Sequence, residues 1–200
     1  MIRDKRAFRS VLRDLRSWVQ KAAIPREDEF IERDYLPDDL VADMAEQGFF
    51  GWSIPEEFRG SGFTTEELIL AAMELSYAAT AIRARVGTNT GIGSEAILVD
   101  GTEDQKRRFL PRLASGEITG CFALTELEAG SDAAAIKTTA RLDGDDFIIE
   151  GTKTFITNAP ISDLFTVFAR TDPDDPTHPG ISAFLVERDT PGLETGSPGR

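Results

Sequence analysis

The feature that most constrains this chain is a change of apolar period at Gly116. Before it, apolar residues recur every three or four positions; after it, they alternate or form short β-branched runs. An all-α region followed by a β region is expected, α+β overall, with domains over residues 1–118 and 119–200. Phe8, Val11, Leu12, Leu15, Trp18, Val19 and Ala22 predict an amphipathic helix over residues 5–23, ended by Pro25. A second should start near Pro37, bury Leu40, Val41 and Met44, and stop at Gly48, with Phe49, Phe50 and Trp52 packing at the turn. Thr64 with Glu67 forms a capping box for a third, whose Leu68, Ala71, Ala72, Leu75 and Ala79 share a face. Residues 89–100 suggest a fourth, and Thr102 with Gln105 caps a fifth that buries Phe109, Leu110 and Leu113.

In the β region, residues 138–142, the Asp143-Gly144 turn and residues 147–156 read as a hairpin, with further strands at 164–170 and 181–187. Residues 172–180 form a polar, Pro-rich loop that holds His178, the single histidine, without evident partners for a metal or a triad. Gly60, Ser61, Gly62, Gly87, Gly91 and Gly93 follow no strand and read as turns or close helix contacts, not a dinucleotide fingerprint. Arg83 and Arg85 are expected on a solvated face of the third helix.

Charge excludes some partners. With 22 Lys plus Arg against 35 Asp plus Glu, a net charge of −13 opposes nucleic acid and anionic membranes. It also opposes any polyanionic ligand at long range, so such a ligand would need local cations. Cys121 is the one cysteine, which rules out an intrachain disulfide and a cysteine metal cluster, and a cytoplasmic location is expected. The N-terminus is charged and amphipathic, and no apolar run approaches membrane-spanning length.

Two segments carry candidate chemistry. Residues 121–132, CFALTELEAGSD, read as an apolar strand breaking into a Gly/Ser turn, whose hydroxyls and N–H groups can face a ligand phosphate. Residues 153–158, KTFITN, read as another strand ending in small polar residues. An aromatic at Phe155 with hydroxyls at Thr125 and Thr157 suits a flat, polar-edged heterocycle. Taken alone, the same residues read first as ordinary strand positions and a chain reversal.

The two segments together resemble the signature strand and turn and the second flavin-contacting strand of the acyl-CoA dehydrogenases, with Phe155 where that family usually carries Trp and Leu127-Glu128 in place of its usual pair. The resemblance extends to residues 54–62, IPEEFRGSG, and through residues 101–117, and so covers nearly the whole chain. It implies a helical domain followed by part of an antiparallel β-barrel, bound FAD, and α,β-desaturation of an acyl-CoA thioester in fatty acid metabolism. By match to the motif, Phe122, Ala123, Leu124 and Thr125 would lie along the isoalloxazine. Gly130 and Ser131 would sit at the pyrophosphate, Ser131 also near the acyl-CoA chain, and Phe155, Ile156 and Thr157 at the ring and its N5. The family's catalytic glutamate comes from a C-terminal helical bundle that these residues do not include, so no catalytic residue is assigned, and Glu126 and Glu128 are read as solvated or strand-flanking carboxylates. An electron-transfer flavoprotein as acceptor is implied, as is a homo-oligomer or a complementary C-terminal chain. The Gly/Pro-rich residues 191–200 are expected to form a loop leading to further strands. The rival readings are a flavin monooxygenase or oxidase of the same fold, and a non-catalytic half-protein that binds a partner chain.

Overall fold

Asp4 opens the first helix by accepting the amides of Arg6 and Ala7 at 2.8 and 3.0 Å, which satisfies donors that have no partner within the helix. The computed structural model describes residues 1–172 and 180–196, and the readings made for His178 and for residues 197–200 lie outside them. The chain divides into two compact units at Ile118 and Thr119.

The first unit is helical: α1 (Lys5–Trp18), α2 (Glu27–Arg33), α3 (Asp38–Glu46), α4 (Thr65–Leu75), α5 (Thr80–Gly87), α6 (Gly93–Asp100) and α7 (Glu103–Ser115). Pro25 does not stop the chain's helical path. A wide π turn at Val19–Ala23 passes into a 3₁₀ turn at Ile24–Arg26, where proline sits in the first turn and its missing N–H breaks no bond, and α2 follows. Both capping boxes form, Thr64 with Glu67 and Thr102 with Gln105. The α4 helix ends earlier than its apolar pattern suggested. Ser76 turns its hydroxyl back to the Ala72 carbonyl at 2.7 Å, and Ala79 instead donates its amide to Glu27 at 2.6 Å.

Leu15, Val19, Leu40, Met44, Phe49, Phe50, Trp52, Leu75 and Ile82 close the core of this unit. Arg85 belongs to α5 and is buried, not solvated: its guanidinium lies 4.9 Å above the Phe50 ring, so stacking replaces hydration. Of the glycines of residues 54–62, Gly60 is a close contact and Gly62, at φ 57°, a turn. A Cβ on Gly60 would stand 1.9 Å from the Ile54 carbonyl oxygen, and Ser61 and Gly62 donate to Gly51 and Ile54 at 2.8 and 2.9 Å.

The second unit holds one sheet of β1 (Gly120–Ala123), β2 (Thr139–Asp143), β3 (Asp146–Glu150), β4 (Leu164–Arg170) and β5 (Ile181–Glu187). β4 is its spine. β5 pairs antiparallel along the whole of one edge of β4, from Leu164–Glu187 to Arg170–Ile181. The other edge takes β1 in parallel over Leu164–Val167 and then β2 at Arg170, with β3 antiparallel outside β2. The expected partial antiparallel barrel is therefore corrected to an open, mixed sheet. β1 and β2 lie end to end along one neighbour, and residues 124–138 must leave the sheet and return between them.

The hairpin also differs from expectation, since β3 stops at Glu150 and residues 151–157 are irregular. A Cβ on Gly151 would stand 2.3 Å from the Thr138 hydroxyl, and the Thr138 amide and carbonyl are taken by Glu126 and the Arg170 amide, which leaves neither for a longer ladder with β3.

Candidate functional site

β1 brings Phe122 and Ala123 to the point where the chain leaves the sheet. Ala123 is buried, and the half-buried Phe122 packs its ring 4.7 Å from Phe168. Leu124 and Thr125, both half-buried, follow. The chain then reverses: the Glu126 amide donates to the Ala129 carbonyl at 3.0 Å and the Ala129 amide returns the bond at 3.2 Å. Gly130 and Ser131 stand exposed beyond this turn. A short 3₁₀ turn at Ala133–Ala135 leads to the fully buried Ile136, and Arg170 holds the returning strand by donating to the carbonyls of Ile136, at 2.7 Å, and Ala134.

Gly130 has a specific standing here. It is not among the positive-φ residues, and a Cβ added to it would meet nothing within 4 Å. The fold does not require glycine at this position, so the open space on its surface is available to a ligand.

Glu126 is neither solvated nor idle. It is 8% exposed and accepts the amides of Lys137 and Thr138 at 2.6 and 2.9 Å, the Thr138 hydroxyl at 2.5 Å and the Lys153 ammonium at 2.8 Å. Burial alone would push its carboxyl up; Lys153, Thr138 and the two amides outweigh that and hold it at about 2. Glu128 matches the solvated reading, lying exposed and paired with Lys137, whose ammonium lowers the Glu128 carboxyl.

The second segment is not a strand. Lys153 folds inward to Glu126 and to the Leu124 carbonyl at 3.0 Å, and the Thr154 amide donates to the Thr125 carbonyl at 2.9 Å. Phe155 then takes a φ of 56° with its side chain 86% exposed, a left-handed backbone that a bulky residue rarely adopts. Ile156 is half-buried and Thr157 exposed, and Asn158, at φ 66°, turns the chain into a 3₁₀ turn at Ala159–Ile161. Arg188 secures that turn by donating to Ser162 at 2.5 Å and to Ala159 and Pro160 at 2.9 Å, over the Phe165 ring.

The structure thus joins Thr125 directly to the segment carrying Phe155, Ile156 and Thr157, and leaves Gly130 and Ser131 on the exposed arm of the adjoining turn. Glu126, Lys153, Arg170 and Arg188 were not singled out as supports from sequence. The available signal was a basic residue at or just after a strand end in an acidic chain. Cys121 is buried, and burial raises its thiol to about 11, which removes it from chemistry at neutral pH. Two surface clefts of the helical unit, one lined by Arg16, Gln20, Glu74 and Tyr77 and the other by Phe30, Ile31 and Tyr35, contain none of these residues. Among the described residues, no group of three His, Cys, Asp or Glu could hold a metal, and no helix is long and apolar enough to cross a membrane.

Residues 4–117 match the acyl-CoA dehydrogenase N-terminal domain and residues 121–200 the acyl-CoA dehydrogenase middle domain. An acyl-CoA dehydrogenase of Bacillus subtilis is 38% identical over 182 residues, covering 91% of this chain and 48% of that protein. A solved acyl-CoA dehydrogenase from Bacillus anthracis, complexed with FAD, superposes with a TM-score of 0.88 at 32% identity, covering 99% of this chain and 33% of that one. A chain in the solved structure of the electron transferring flavoprotein of Acidaminococcus fermentans gives 0.90 at 36% identity, covering 98% of this chain and 52% of that one. The chain spans about half the length of the curated relatives it matches.

Proposed function

Since the chain belongs to the acyl-CoA dehydrogenase family, we propose that it supplies the helical N-terminal part and the flavin-facing sheet of an FAD-dependent oxidoreductase that desaturates an acyl-CoA thioester between its α and β carbons. The observation that carries this reading is Phe155. A large aromatic held in a strained backbone, with almost its whole side chain in solvent, gains nothing for the fold and is set to cover a ring.

The neighbouring residues suit the same ligand. Phe122 and Leu124 offer apolar surface, and the hydroxyls of Thr125 and Thr157 with the backbone of Ala123 and Ile156 offer donors and acceptors to a heterocycle's edge. Gly130 presents backbone that a phosphate can approach, and Ser131 adds a hydroxyl beside it. Bound FAD supplies the hydride acceptor; the protein's part is to orient and to exclude water.

Glu126 is unsuited to take the substrate's α proton. At about 2 it is too weak a base at neutral pH, and each of its bonds holds the turn together. Glu128 is committed to Lys137 at the surface. As the family resemblance implies, the proton-abstracting carboxylate would come from the family's C-terminal helical bundle and not from Glu126 or Glu128. By the same reading an electron-transfer flavoprotein is the electron acceptor, and the chain associates as a homo-oligomer or with a complementary C-terminal chain.

FAD titration of parent and Gly130→Val tests the proposal. Because nothing in the fold fills the space beside Gly130, the variant should keep the parent's circular dichroism while its FAD dissociation constant rises at least tenfold. A folded variant that binds FAD as tightly as the parent would refute the assignment of the turn.

A further inference from the structure

We propose that Glu126 and Lys153 are positioning residues, their buried ion pair being the latch that sets the Phe155–Thr157 segment against the Thr125 end of β1. The inference rests on the flavin reading of those two segments and adds to it the device that fixes their spacing.

Residues 151–157 lack supports of their own. They follow the end of β3 and have no strand ladder, and the side chains of Phe155 and Thr157 point into solvent and anchor nothing. Placement must come from elsewhere. Lys153 is the inward side chain of the stretch, 10% exposed, and its ammonium bridges the Leu124 carbonyl at 3.0 Å and Glu126 Oε1 at 2.8 Å. Glu126 Oε1 also takes the amide and hydroxyl of Thr138, and its Oε2 takes the amide of Lys137. One carboxylate and one ammonium therefore join three stretches of chain: the end of β1, the entry to β2 and the segment after β3. The Thr154–Thr125 backbone bond follows one residue after Lys153 and is brought into register by it.

The chemistry favours positioning over bulk stability. A buried ion pair loses much of its Coulomb gain to desolvation, and an apolar pair of equal volume commonly stabilises at least as well. What this pair adds is a fixed meeting point, because three donors from the entry to β2 converge on the Glu126 carboxylate and the Lys153 ammonium must reach both it and the Leu124 carbonyl. That suits a segment whose task is to hold one ring at a set distance from one hydroxyl.

Three variants of the full chain provide the test: Lys153→Met, which keeps the aliphatic stem; Lys153→Met with Glu126→Gln, which avoids stranding a buried anion; and Lys153→Arg, which keeps the charge. Amide hydrogen exchange is read at Thr154 and across β4 by NMR, and the FAD dissociation constant by fluorescence titration. In the double variant, exchange at Thr154 should quicken at least tenfold while β4 amides keep the parent's rates, and the FAD dissociation constant should rise at least tenfold; the single methionine variant should show both effects and also faster β4 exchange, because it strands the Glu126 anion. Lys153→Arg should recover most of both. If the double variant matches the parent in Thr154 exchange and in FAD affinity, the latch is refuted. If the parent takes up no FAD at millimolar concentration, the flavin reading fails, and Thr154 exchange alone decides whether the pair positions the segment.

Discussion

Replacing Glu126 by Gln should abolish one acid-sensitive part of the stability of the sheet unit. The parent carboxyl sits at about 2 in the folded protein against an ordinary 4.5, so the folded state favours its ionised form. That gap corresponds to on the order of 3 kcal/mol, present above about pH 4.5 and lost as the pH falls toward about 2. Gln removes the anion and leaves the Lys153 ammonium buried without a countercharge, so the deficit at pH 7 should be about 3–5 kcal/mol. It should shrink by roughly 3 kcal/mol on reaching pH 2, where the parent carboxyl is about half protonated and its preference for the folded state is nearly gone. Both tryptophans and both tyrosines precede residue 119, so aromatic fluorescence does not see this unit. Hydrogen exchange of β1 and β4 peptides against urea, followed by mass spectrometry, does. Parallel stability curves for parent and variant from pH 2 to 7 would refute the reasoning.

Two further outcomes are expected. Asn89, fully buried, donates its side-chain amide to the carbonyls of Leu113 and Ile118 at 3.0 and 2.9 Å, so Asn89→Leu should cost the helical unit about 2–4 kcal/mol in urea unfolding followed by Trp18 and Trp52 fluorescence. Thr157→Val should leave the unfolding midpoint unchanged, because the side chain is exposed, but should weaken FAD binding or shift the bound flavin's absorbance, with a neutral hydrogen bond worth about 0.5–1.5 kcal/mol.

What was legible in the sequence was local. The capping boxes at Thr64 and Thr102 and the strands 164–170 and 181–187 follow from spacing over a few residues, and the structure has them where they were expected. What was not legible depended on partners far along the chain. Arg85 reads as a surface cation until Phe50 is folded beneath it. Residues 151–157 read as strand until Gly151 meets Thr138 and Lys153 finds Glu126. Glu126 reads as one more acid in an acidic chain, because its donors lie 11 to 27 positions away. The residues that hold Thr125 and the segment after β3 in place were not readable, because each acts through a partner far along the chain.

That division has a physical origin. When residues 124–138 and 151–162 leave the sheet, their carbonyls lose ladder partners, and a backbone acceptor away from water needs a donor. Lys153 takes the Leu124 carbonyl, Arg170 those of Ala134 and Ile136, and Arg188 those of Ala159, Pro160 and Ser162. Ammonium and guanidinium groups suit this because they only donate. A turn whose carbonyls are collected in this way keeps its shape without a strand partner. The side chains that tie the loops down lie 26 to 36 positions from the carbonyls they bind, so spacing along the sequence could not reveal them.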